Sequence, residues 1–440
     1  MADQIQAEID AGKLRPGDRL PPQREFADTR GIAMSTATRV YNELVRRGMV
    51  VGEVGRGTFV RTGPPAEGLA LAQGIGNRIN LATNIPLLSH HAGVLSRSTA
   101  AMTRRSTVIG SAMSPVLASS TPAARHTVAA FMSRGTWQPS AERINFTGNG
   151  RQALAAALAA VASPGQRVGV EALSYQSVAG IAARLALEVV PLPMDKYGLR
   201  VDGVIEAHRR ARMRAIYVQP TLHNPLGLTM PSKRRQELAR VLGDLDLVAI
   251  EDHVYAFLID DHLPLASLAP EHAVMIDSLS KRIAPGLTLG WALAPARLVQ
   301  PIAEAIRASA LVPSGLALEL CVRWIADGTV ARLVKDKRRD ARKRQQLLRK
   351  SCPELAIRAD PRAYHAWIEL PVQWRSESFA AAAAAQGIAV APAAAFAVAP
   401  GHAPNAVRVA LGSTPLDVLA VALRRLSSLV RLGPSNGNLE

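Results

Sequence analysis

Residues 278–295 read SLSKRIAPGLTLGWALAP and place one lysine, Lys281, between serine residues and a Pro-Gly turn. The apolar run AVMIDSLS leads into it and LGWALAP follows, so we expect Lys281 at a strand end that faces a pocket. A lysine in such a place is typical of covalent chemistry with carbonyl compounds. For this stretch taken alone, an exposed turn lysine is the alternative.

The composition is that of an ordinary globular protein. Of the 440 residues, 48% are hydrophobic and 20% charged, which favours roughly two or three domains. The two cysteines, Cys321 and Cys352, have neither metal-ligand nor disulfide-framework spacing, so we expect a cytoplasmic protein without a metal site. The acidic, amphipathic start and the lack of an apolar run of about 18 residues predict neither a signal peptide nor a membrane segment.

The formal net charge of +17 suggests a polyanionic partner, but the excess is uneven. Residues 331–350 hold ten Lys or Arg and two Asp, whereas residues 1–64 hold ten basic and eight acidic side chains. As a helix, the basic run has only Leu333, Leu347 and Leu348 as an apolar stripe, so most of its cations are expected to face water. A solvated face and a second track for DNA are both compatible with this pattern.

The first 62 residues predict three short helices and a hairpin. Gly12, Gly31 and Gly48 end the helices, and MVVGEVGRGTFV then forms two strands around a Gly-rich turn. Two helices joined by a tight turn and followed by a β-wing form a DNA-binding scaffold. The residues expected to face DNA are those at the start of the third helix and at the wing tip: Ser35, Thr36, Thr38, Arg39, Gly55, Arg56 and Gly57.

The segments LRPGDRLPPQREFA and RRGMVVGEVGRGTFV resemble the GntR family of winged helix-turn-helix domains. The resemblance implies that Arg24, Thr36, Arg39 and Arg56 contact double-stranded DNA. Relatives usually begin the recognition helix with Ser-Arg, where this chain has Ala33-Met34. A helix cap and one DNA contact are therefore missing, and the operator cannot be inferred from relatives.

Residues 63–80 mix Pro, Gly and Ala without a sustained period and are expected to form a linker. Strands and helices then alternate, which predicts a mostly parallel sheet covered by helices. The Ala-rich stretch FAAAAAAQGIAVAPAAAF predicts a helix, a turn at Gly387 and a strand. We expect an effector domain at 81–432, with a large subdomain at about 118–325 and a small one at about 326–432.

Polar residues recur at the ends of the predicted strands of this second module. Asp252 and Tyr255 lie in IEDHVYAFL, Asn224 lies between two prolines, Tyr175 follows an apolar strand, and Arg408 lies inside one. The turn FTGNGRQAL opens a helix. Each feature alone has an ordinary explanation, such as a helix cap or a structural ion pair.

Together with Lys281, in this order, these residues resemble the fold type I aminotransferase domain, and the whole chain resembles the MocR subfamily of GntR regulators. The implied fold is a winged helix-turn-helix joined to an α/β fold type I transferase domain with a smaller C-terminal α+β subdomain. The implied cofactor is pyridoxal 5′-phosphate (PLP), held by an aldimine at Lys281. Its ring nitrogen would face Asp252, its 3′-oxygen Asn224 and Tyr255, and its ring Tyr175.

The resemblance also implies sites for two anionic groups. The cofactor phosphate would bind at the helix start Gly150, Arg151 and Gln152, helped by Ser278, and Arg408 would grip an α-carboxylate. Relatives usually carry SKxxAPGLR, whose arginine reaches the phosphate, but this chain has threonine at that position, residue 288. Arg151 stands where many relatives have glutamine and is the candidate replacement.

Three functions fit these features. The first is a PLP-dependent regulator, a homodimer that binds an operator and a small amino compound. The second is an active aminotransferase with an added DNA-binding domain, and the third is a regulator that has lost its cofactor. The retained Lys281, Asp252, Asn224 and Tyr255 count against the third, and the winged helix favours the first over the second.

Overall fold

The structure is a computed structural model and describes residues 1–15, 17–53, 57–61, 78–104, 106–259, 262–399 and 403–434. Its N-terminal module contains, in chain order, α1 (Ala2–Asp10), β1 (Arg19–Leu20), α2 (Gln23–Arg30), α3 (Met34–Arg46), β2 (Val50–Glu53) and β3 (Gly57–Val60).

This module is a winged helix, as the sequence predicts. The wing is an antiparallel sheet in the order β1-β3-β2. Helix α2 ends at the expected place because Gly31 adopts a left-handed conformation with φ 61°. Phe26 and Tyr41 pack edge to face, with ring centroids 5.4 Å apart, and join α2 to α3. Strand β1 was not expected, since two residues are too short to show a period.

The second module holds the remaining elements. Its strands are β4 (Ile79–Asn80), β5 (Ile144–Thr147), β6 (Arg167–Glu171), β7 (Glu188–Leu192), β8 (Met194–Asp195), β9 (Gly198–Leu199), β10 (Met213–Val218), β11 (Val248–Asp252), β12 (Ala273–Ser278), β13 (Gly290–Leu293), β14 (Ala356–Arg358), β15 (His365–Glu369), β16 (Ile388–Ala389), β17 (Ala391–Pro392) and β18 (Ala406–Ala410). Its helices are α4 (Ser89–Thr103), α5 (Ser106–Ala112), α6 (Pro122–Met132), α7 (Gly150–Val161), α8 (Ser177–Arg184), α9 (Val201–Arg210), α10 (Ser232–Asp244), α11 (Leu265–Leu268), α12 (Ala296–Ala308), α13 (Gly315–Ala326), α14 (Thr329–Ser351), α15 (Ser376–Ala385) and α16 (Leu416–Leu432).

The large subdomain is built on a seven-stranded sheet in the order β5-β13-β12-β11-β10-β6-β7. All neighbours run parallel except β13, which is antiparallel to β12 and β5. Alternate residues enter two separate cores: Ile216 and Val218 pack on one face, Ala215 and Tyr217 on the other. The expected mostly parallel, helix-covered sheet is therefore confirmed, and the carboxyl ends of β10, β11 and β12 meet at one edge.

The small subdomain is an antiparallel sheet in the order β14-β15-β18-β17, covered by α15 and α16. The Ala-rich stretch forms α15, turns at Gly387 with φ 76° and continues as short strands, as expected. Most of the expected linker lies outside the described residues. Its last two residues, Ile79 and Asn80, instead form β4 and pair with β16 of this subdomain.

Helix α14 contains the basic run, and most of its cations are exposed, as expected, but its apolar stripe is wider than the sequence indicated. Seven of the ten cations of residues 331–350 are exposed, but Lys337 and Arg344 are buried. Lys337 donates hydrogen bonds to the backbone, and Arg344 pairs with Asp340 at 2.7 Å. The buried face of α14 is thus wider than the apolar stripe of three leucines, because the aliphatic parts of Lys337 and Arg344 can pack on apolar surface. Within the described ranges, the structure contains no helix with the length and apolar character needed to cross a membrane.

Candidate functional site

Lys281 lies in the turn between β12 and β13, as predicted. Its side chain is half-buried, and Nζ donates a hydrogen bond of 2.6 Å to the backbone oxygen of Asn84. The turn itself is held by Lys337, whose Nζ donates to the backbone oxygens of Lys281 and Ile283 at 2.7 and 2.8 Å. A second lysine therefore fixes the backbone that carries the first.

The amine of Lys281 has an unusual proton affinity. Burial and the charges of Arg408 and Arg151 together lower its pKa to about 8, while the charge of Asp252 opposes them. A substantial fraction of the amine is therefore neutral near physiological pH. Neutral amines attack carbonyl carbons, so this environment suits the chemistry expected of Lys281.

Asp252 ends β11, is buried, and lies close enough to Lys281 for each charge to shift the pKa of the other side chain. Its carboxylate accepts hydrogen bonds from Tyr217 Oη at 2.6 Å and from the backbone N–H of Val254 at 2.9 Å. Burial raises the pKa of Asp252 to about 6, although both hydrogen bonds oppose this shift. Among the described residues Asp252 forms no ion pair, so it can still accept from a protonated nitrogen.

Asn224, Tyr255 and Arg408 complete the cluster. Arg408 Nη1 donates to Asn224 Oδ1 at 3.0 Å, and Nη2 donates to the backbone oxygen of Ala82. Asn84 Nδ2 donates to Tyr255 Oη at 3.0 Å. Arg408 Nε is buried and has no hydrogen-bond partner among the described residues. The guanidinium thus keeps donor capacity for an anion.

The Gly-rich turn 148–150 brings the start of α7 beside this cluster. Asn149 caps the helix, since its Oδ1 accepts from the backbone N–H of Gln152 at 3.1 Å. A Cβ at Gly150 would lie 3.3 Å from Ser278 Oγ, and one at Gly290 only 2.4 Å from the carbonyl carbon of Asn149. Glycine at these two positions therefore allows the helix start to approach the end of β12 and the start of β13. Backbone N–H groups at a helix start attract anions.

At residue 288 relatives usually have an arginine, but here a threonine hydroxyl joins those of two serines. Ser278 Oγ donates to Ser280 Oγ at 3.2 Å, and Ser280 Oγ lies 2.9 Å from Thr288 Oγ1. Arg151 is exposed and close enough to Lys281 to lower the pKa of its amine. Tyr175, at the other expected stacking position, is half-buried.

The donor set fits PLP by its chemistry. A phosphate requires N–H and hydroxyl donors, a pyridinium nitrogen requires a buried carboxylate, and a carbonyl carbon requires a neutral amine. The start of α7 and Ser278 provide the donors for a phosphate. Asp252 is the buried carboxylate, and Lys281 is the amine. The buried, unpaired Arg408 Nε adds a donor for a carboxylate.

Two contacting residues were missed by sequence reasoning. Asn84 meets Lys281 and Tyr255, but TNIP reads as an ordinary turn before a proline. Tyr217 meets Asp252, and its position near the carboxyl end of an apolar strand was the one available signal.

One potential metal-ligand group was also unexpected. The ligand atoms of His90, His91 and Asp336 lie within 4.8 Å of one another. Burial, followed by the charge of Lys337, lowers the pKa of His91 to about 4. His91 is therefore neutral at physiological pH, which is the form of imidazole that can bind a metal ion.

In the winged helix, the side chains of Arg24, Ser35, Thr36 and Arg39 are exposed. Thr38 is half-buried, and its hydroxyl donates to Gln23 Oε1 at 2.9 Å. Its free donor capacity is therefore smaller than the sequence suggested. Helix α3 begins at Met34, and its N-cap residue Ala33 provides no side-chain cap, as the sequence indicated.

At the wing tip, Gly55 and Arg56 lie outside the described residues. Gly57 has φ +119°, a backbone conformation that residues with a side chain rarely adopt. A Cβ at this position would also lie 2.8 Å from Arg19 Nε. Glycine is therefore required at this turn by its own conformation.

Fold and site together define a class: a helix-turn-helix transcriptional regulator whose second domain is an aminotransferase-like domain. The chain belongs to the aminotransferase class I and II family, which matches residues 77–426, and residues 1–60 match the bacterial regulatory proteins of the gntR family. This fusion is the arrangement of MocR-type regulators, which confirms the resemblance drawn from the sequence.

Relatives share the whole arrangement. The chain is 27% identical over 413 residues to the uncharacterized HTH-type transcriptional regulator YdeF of Bacillus subtilis, covering 93% of this chain and 89% of that one. It is 26% identical to the vitamin B6 salvage pathway transcriptional repressor PtsJ of Salmonella typhimurium, over 96% of both. The α-aminoadipate aminotransferase LysN of Thermus thermophilus shares the fold, with a TM-score of 0.74 at 21% identity over 83% of this chain and 95% of that one.

Proposed function

We propose that this regulator binds PLP and senses an amino acid or amine through it. The observation that carries the proposal is the convergence of Lys281, Asp252, Asn224, Tyr255 and Arg408, which come from separate strand ends of two subdomains. Buried polar groups cost free energy unless they are paired, and Arg408 Nε has no partner among the described residues, which supports a site for a ligand.

In this proposal Lys281 attaches the cofactor covalently and Asp252 accepts from its ring nitrogen. Asn224 and Tyr255 donate to its 3′-oxygen, and Tyr175 stacks on its ring. The phosphate is held by Gly150, Arg151, Gln152 and Ser278. When bound, PLP supplies an electrophilic carbon that bonds reversibly to primary amines.

Arg408 would select effectors that carry a carboxylate. Its guanidinium is buried, which lowers its pKa to about 10, so it remains a cation at neutral pH. A carboxylate that replaces Asn224 Oδ1 and the backbone oxygen of Ala82 would gain a charge-assisted, two-pronged hydrogen bond. An effector that is an amino acid therefore satisfies both Lys281 chemistry and Arg408.

The DNA-binding part of the proposal concerns double-stranded operator DNA. The start of α3 would enter the major groove and the wing tip would approach the backbone or minor groove. Two copies of the chain would match an operator with twofold symmetry. The proposed contacts are Arg24, Ser35, Thr36, Thr38, Arg39, Gly55, Arg56 and Gly57.

An active aminotransferase is the second candidate, because Lys281 has the partly neutral amine that turnover requires. The fused winged helix supports regulation as the primary role, since catalysis has no need of an operator. The regulatory role of relatives such as PtsJ, by its name a repressor of vitamin B6 salvage, supports the same choice. Formation of an oxo acid at a steady rate from a supplied amino acid would favour the enzyme.

The cofactor proposal is tested by visible absorption of the full chain after incubation with PLP and removal of the free compound. We expect a visible band that Lys281→Ala abolishes. Lys196→Ala, which removes an exposed lysine elsewhere, is the matched control and should keep the band. A band that survives in the Lys281 variant would contradict the assignment.

A further inference from the structure

Three side chains with metal-ligand atoms meet where the start of α4 packs against α14. His90 and His91 are the second and third residues of α4, and Asp336 lies on α14. Their ligand atoms all lie within 4.8 Å of one another. None of the three belongs to the proposed cofactor, effector or DNA contacts, so this group is separate from the sites described above.

The carboxylate of Asp336 is placed between the two imidazoles. Its Oδ2 lies 3.4 Å from His90 Nε2 and 3.5 Å from His91 Nε2. Both distances exceed the roughly 2.7–3.2 Å of ordinary N–H···O hydrogen bonds. Two ligand atoms that each lie about 2.1 Å from a tetrahedral ion are about 3.4 Å apart. The two separations therefore suit ligands of one shared ion better than hydrogen-bond partners.

The burial of His91 is an observation independent of this spacing. His91 is only 5% exposed, and neither of its ring nitrogens has a hydrogen-bond partner among the described residues. Most buried polar atoms in proteins are paired, because an unpaired one costs free energy. An ion bound to Nε2, the nitrogen that faces Asp336, removes this cost at that atom.

The surroundings of the group decide which ions fit. Lys337 lies close enough to act on His91, and Arg339 and Lys343 line an adjoining cleft of about 570 Å³. These cations disfavour hard ions such as Mg²⁺ and Ca²⁺, which need several oxygen ligands, whereas only one carboxylate is present. Two imidazoles and one carboxylate suit Zn²⁺, Co²⁺ and Ni²⁺.

We propose that His90, His91 and Asp336 form a binding site for a divalent transition-metal ion of the zinc class, and that the ion bridges α4 and α14. His90 closes the site by rotation, since its side chain is 62% exposed. The adjoining cleft, which His90 and Asp336 also line, leaves room for a water molecule as a further ligand. The site does not rest on the proposed function.

The bridge joins two segments that hold Lys281. The chain just before α4 presents the backbone oxygen of Asn84 to Lys281 Nζ at 2.6 Å. On α14, the residue after Asp336 is Lys337, which donates to the backbone oxygen of Lys281 at 2.7 Å. An ion between the two helices therefore opposes their separation beside Lys281.

Binding is tested by titrating the chelator-treated full chain with Co²⁺, followed by its visible absorption. We expect one ion per chain, and His90→Ala should weaken binding about tenfold or more, because it removes one of three ligands without cutting a core. His126→Ala removes an exposed histidine of α6 and is the matched control. The absence of saturable binding, or equal affinities of these two variants, would overturn the site.

A second pair of variants tests the carboxylate. Asp336→Asn should lose binding as His90→Ala does, whereas Asp417→Asn, at an exposed position of α16, should keep it. No PLP is added, and Lys281→Ala should bind Co²⁺ as tightly as the parent chain. Loss of the ion in the Lys281 variant would assign it to the cofactor site and overturn the proposal. Failure of PLP binding in the absorption test leaves these results unchanged.

The bridge is tested by hydrogen exchange of α4 amides 92–102 with and without Zn²⁺. At a free concentration ten times the Kd, exchange through openings that separate α4 from α14 should slow about tenfold. Asp336→Asn should show no slowing at the same concentration. Binding without any slowing in the parent chain would overturn the bridge.

Discussion

At the scale of single residues, the expected phosphate site relies on hydroxyl groups and one cation. Ser278, Ser280 and Thr288 form a chain of neutral side chains, and Arg151 is the charged neighbour that acts on Lys281. A charge-assisted hydrogen bond typically contributes about 1.5–3 kcal/mol. The loss of one cation is therefore large enough to measure.

We expect Arg151→Ala to weaken PLP retention by about tenfold or more, because it removes that cation. Thr288→Arg in the same chain should restore retention. Arg167→Ala is the control, since Arg167 pairs with Glu188 at 3.0 Å away from the turn. Retention is measured by dialysis followed by absorption, and equal retention in the two single variants would disprove compensation by Arg151.

The lowered pKa of Lys281 predicts a pH dependence of cofactor attachment. The neutral amine is the reactive form, so the attachment rate should rise about tenfold per pH unit well below pH 8 and level off above it. Because Arg151 helps to lower this pKa, Arg151→Ala should move the midpoint to higher pH. Stopped-flow absorption at a series of pH values measures it, and a midpoint near the usual lysine value would contradict the burial of the amine.

At the scale of elements, α3 lacks a side-chain cap and keeps Thr38 engaged with Gln23, so its DNA-facing groups are few. Arg39 is the exposed cation of this helix among the proposed contacts. Specific recognition should therefore depend strongly on Arg39.

Arg39→Ala should cost about 1–3 kcal/mol of binding to a duplex selected from a random pool, with less effect on unselected duplexes. Lys13→Ala removes an exposed cation just after α1 and is the matched control. Fluorescence anisotropy at fixed salt gives both affinities. An equal loss for the two variants would mean that Arg39 acts only through its charge.

At the scale of the whole molecule, the net charge of +17 is concentrated away from the winged helix. The exposed cations of α14 include Lys335, Arg339 and Arg342, which line a cleft of about 1080 Å³ with Phe131 and Phe257. Lys337 is not part of this face, because its amine donates a hydrogen bond to the backbone oxygen of Lys281. The surface that remains available for a second DNA track is thus narrower than the sequence indicated.

If DNA reaches this face, Lys335→Glu, Arg339→Glu and Arg342→Glu together should lower affinity for a long duplex much more than for a short one. The slope of log affinity against log salt should fall by about 3 for the long duplex, close to one unit per lost phosphate contact. Reversal of the exposed Arg209, Arg210 and Arg240 gives the same charge change elsewhere. Equal losses for both triples would show a general charge effect and no track.

Local pattern determined much of this protein before any contact was known. Glycines that adopt left-handed conformations ended the helices of the winged module, and apolar runs followed by polar residues located Lys281, Asp252 and Tyr255 at strand ends. These features depend on neighbours a few residues away, where period and turn chemistry act. The roles given to the site residues remain predictions, as do the domain limits.

The tertiary structure alone decided which distant groups meet. Asn84 reaches Lys281 across 197 residues and Tyr255 across 171, and no local period encodes such a contact. Lys337 looked like one more solvated cation until the turn of Lys281 packed against it. Phe59 of the wing is buried against Ala394 and Arg375 of the small subdomain, a contact that no pattern within the wing predicts. In each case the free energy comes from burial and hydrogen bonding between segments that only the folded chain brings together.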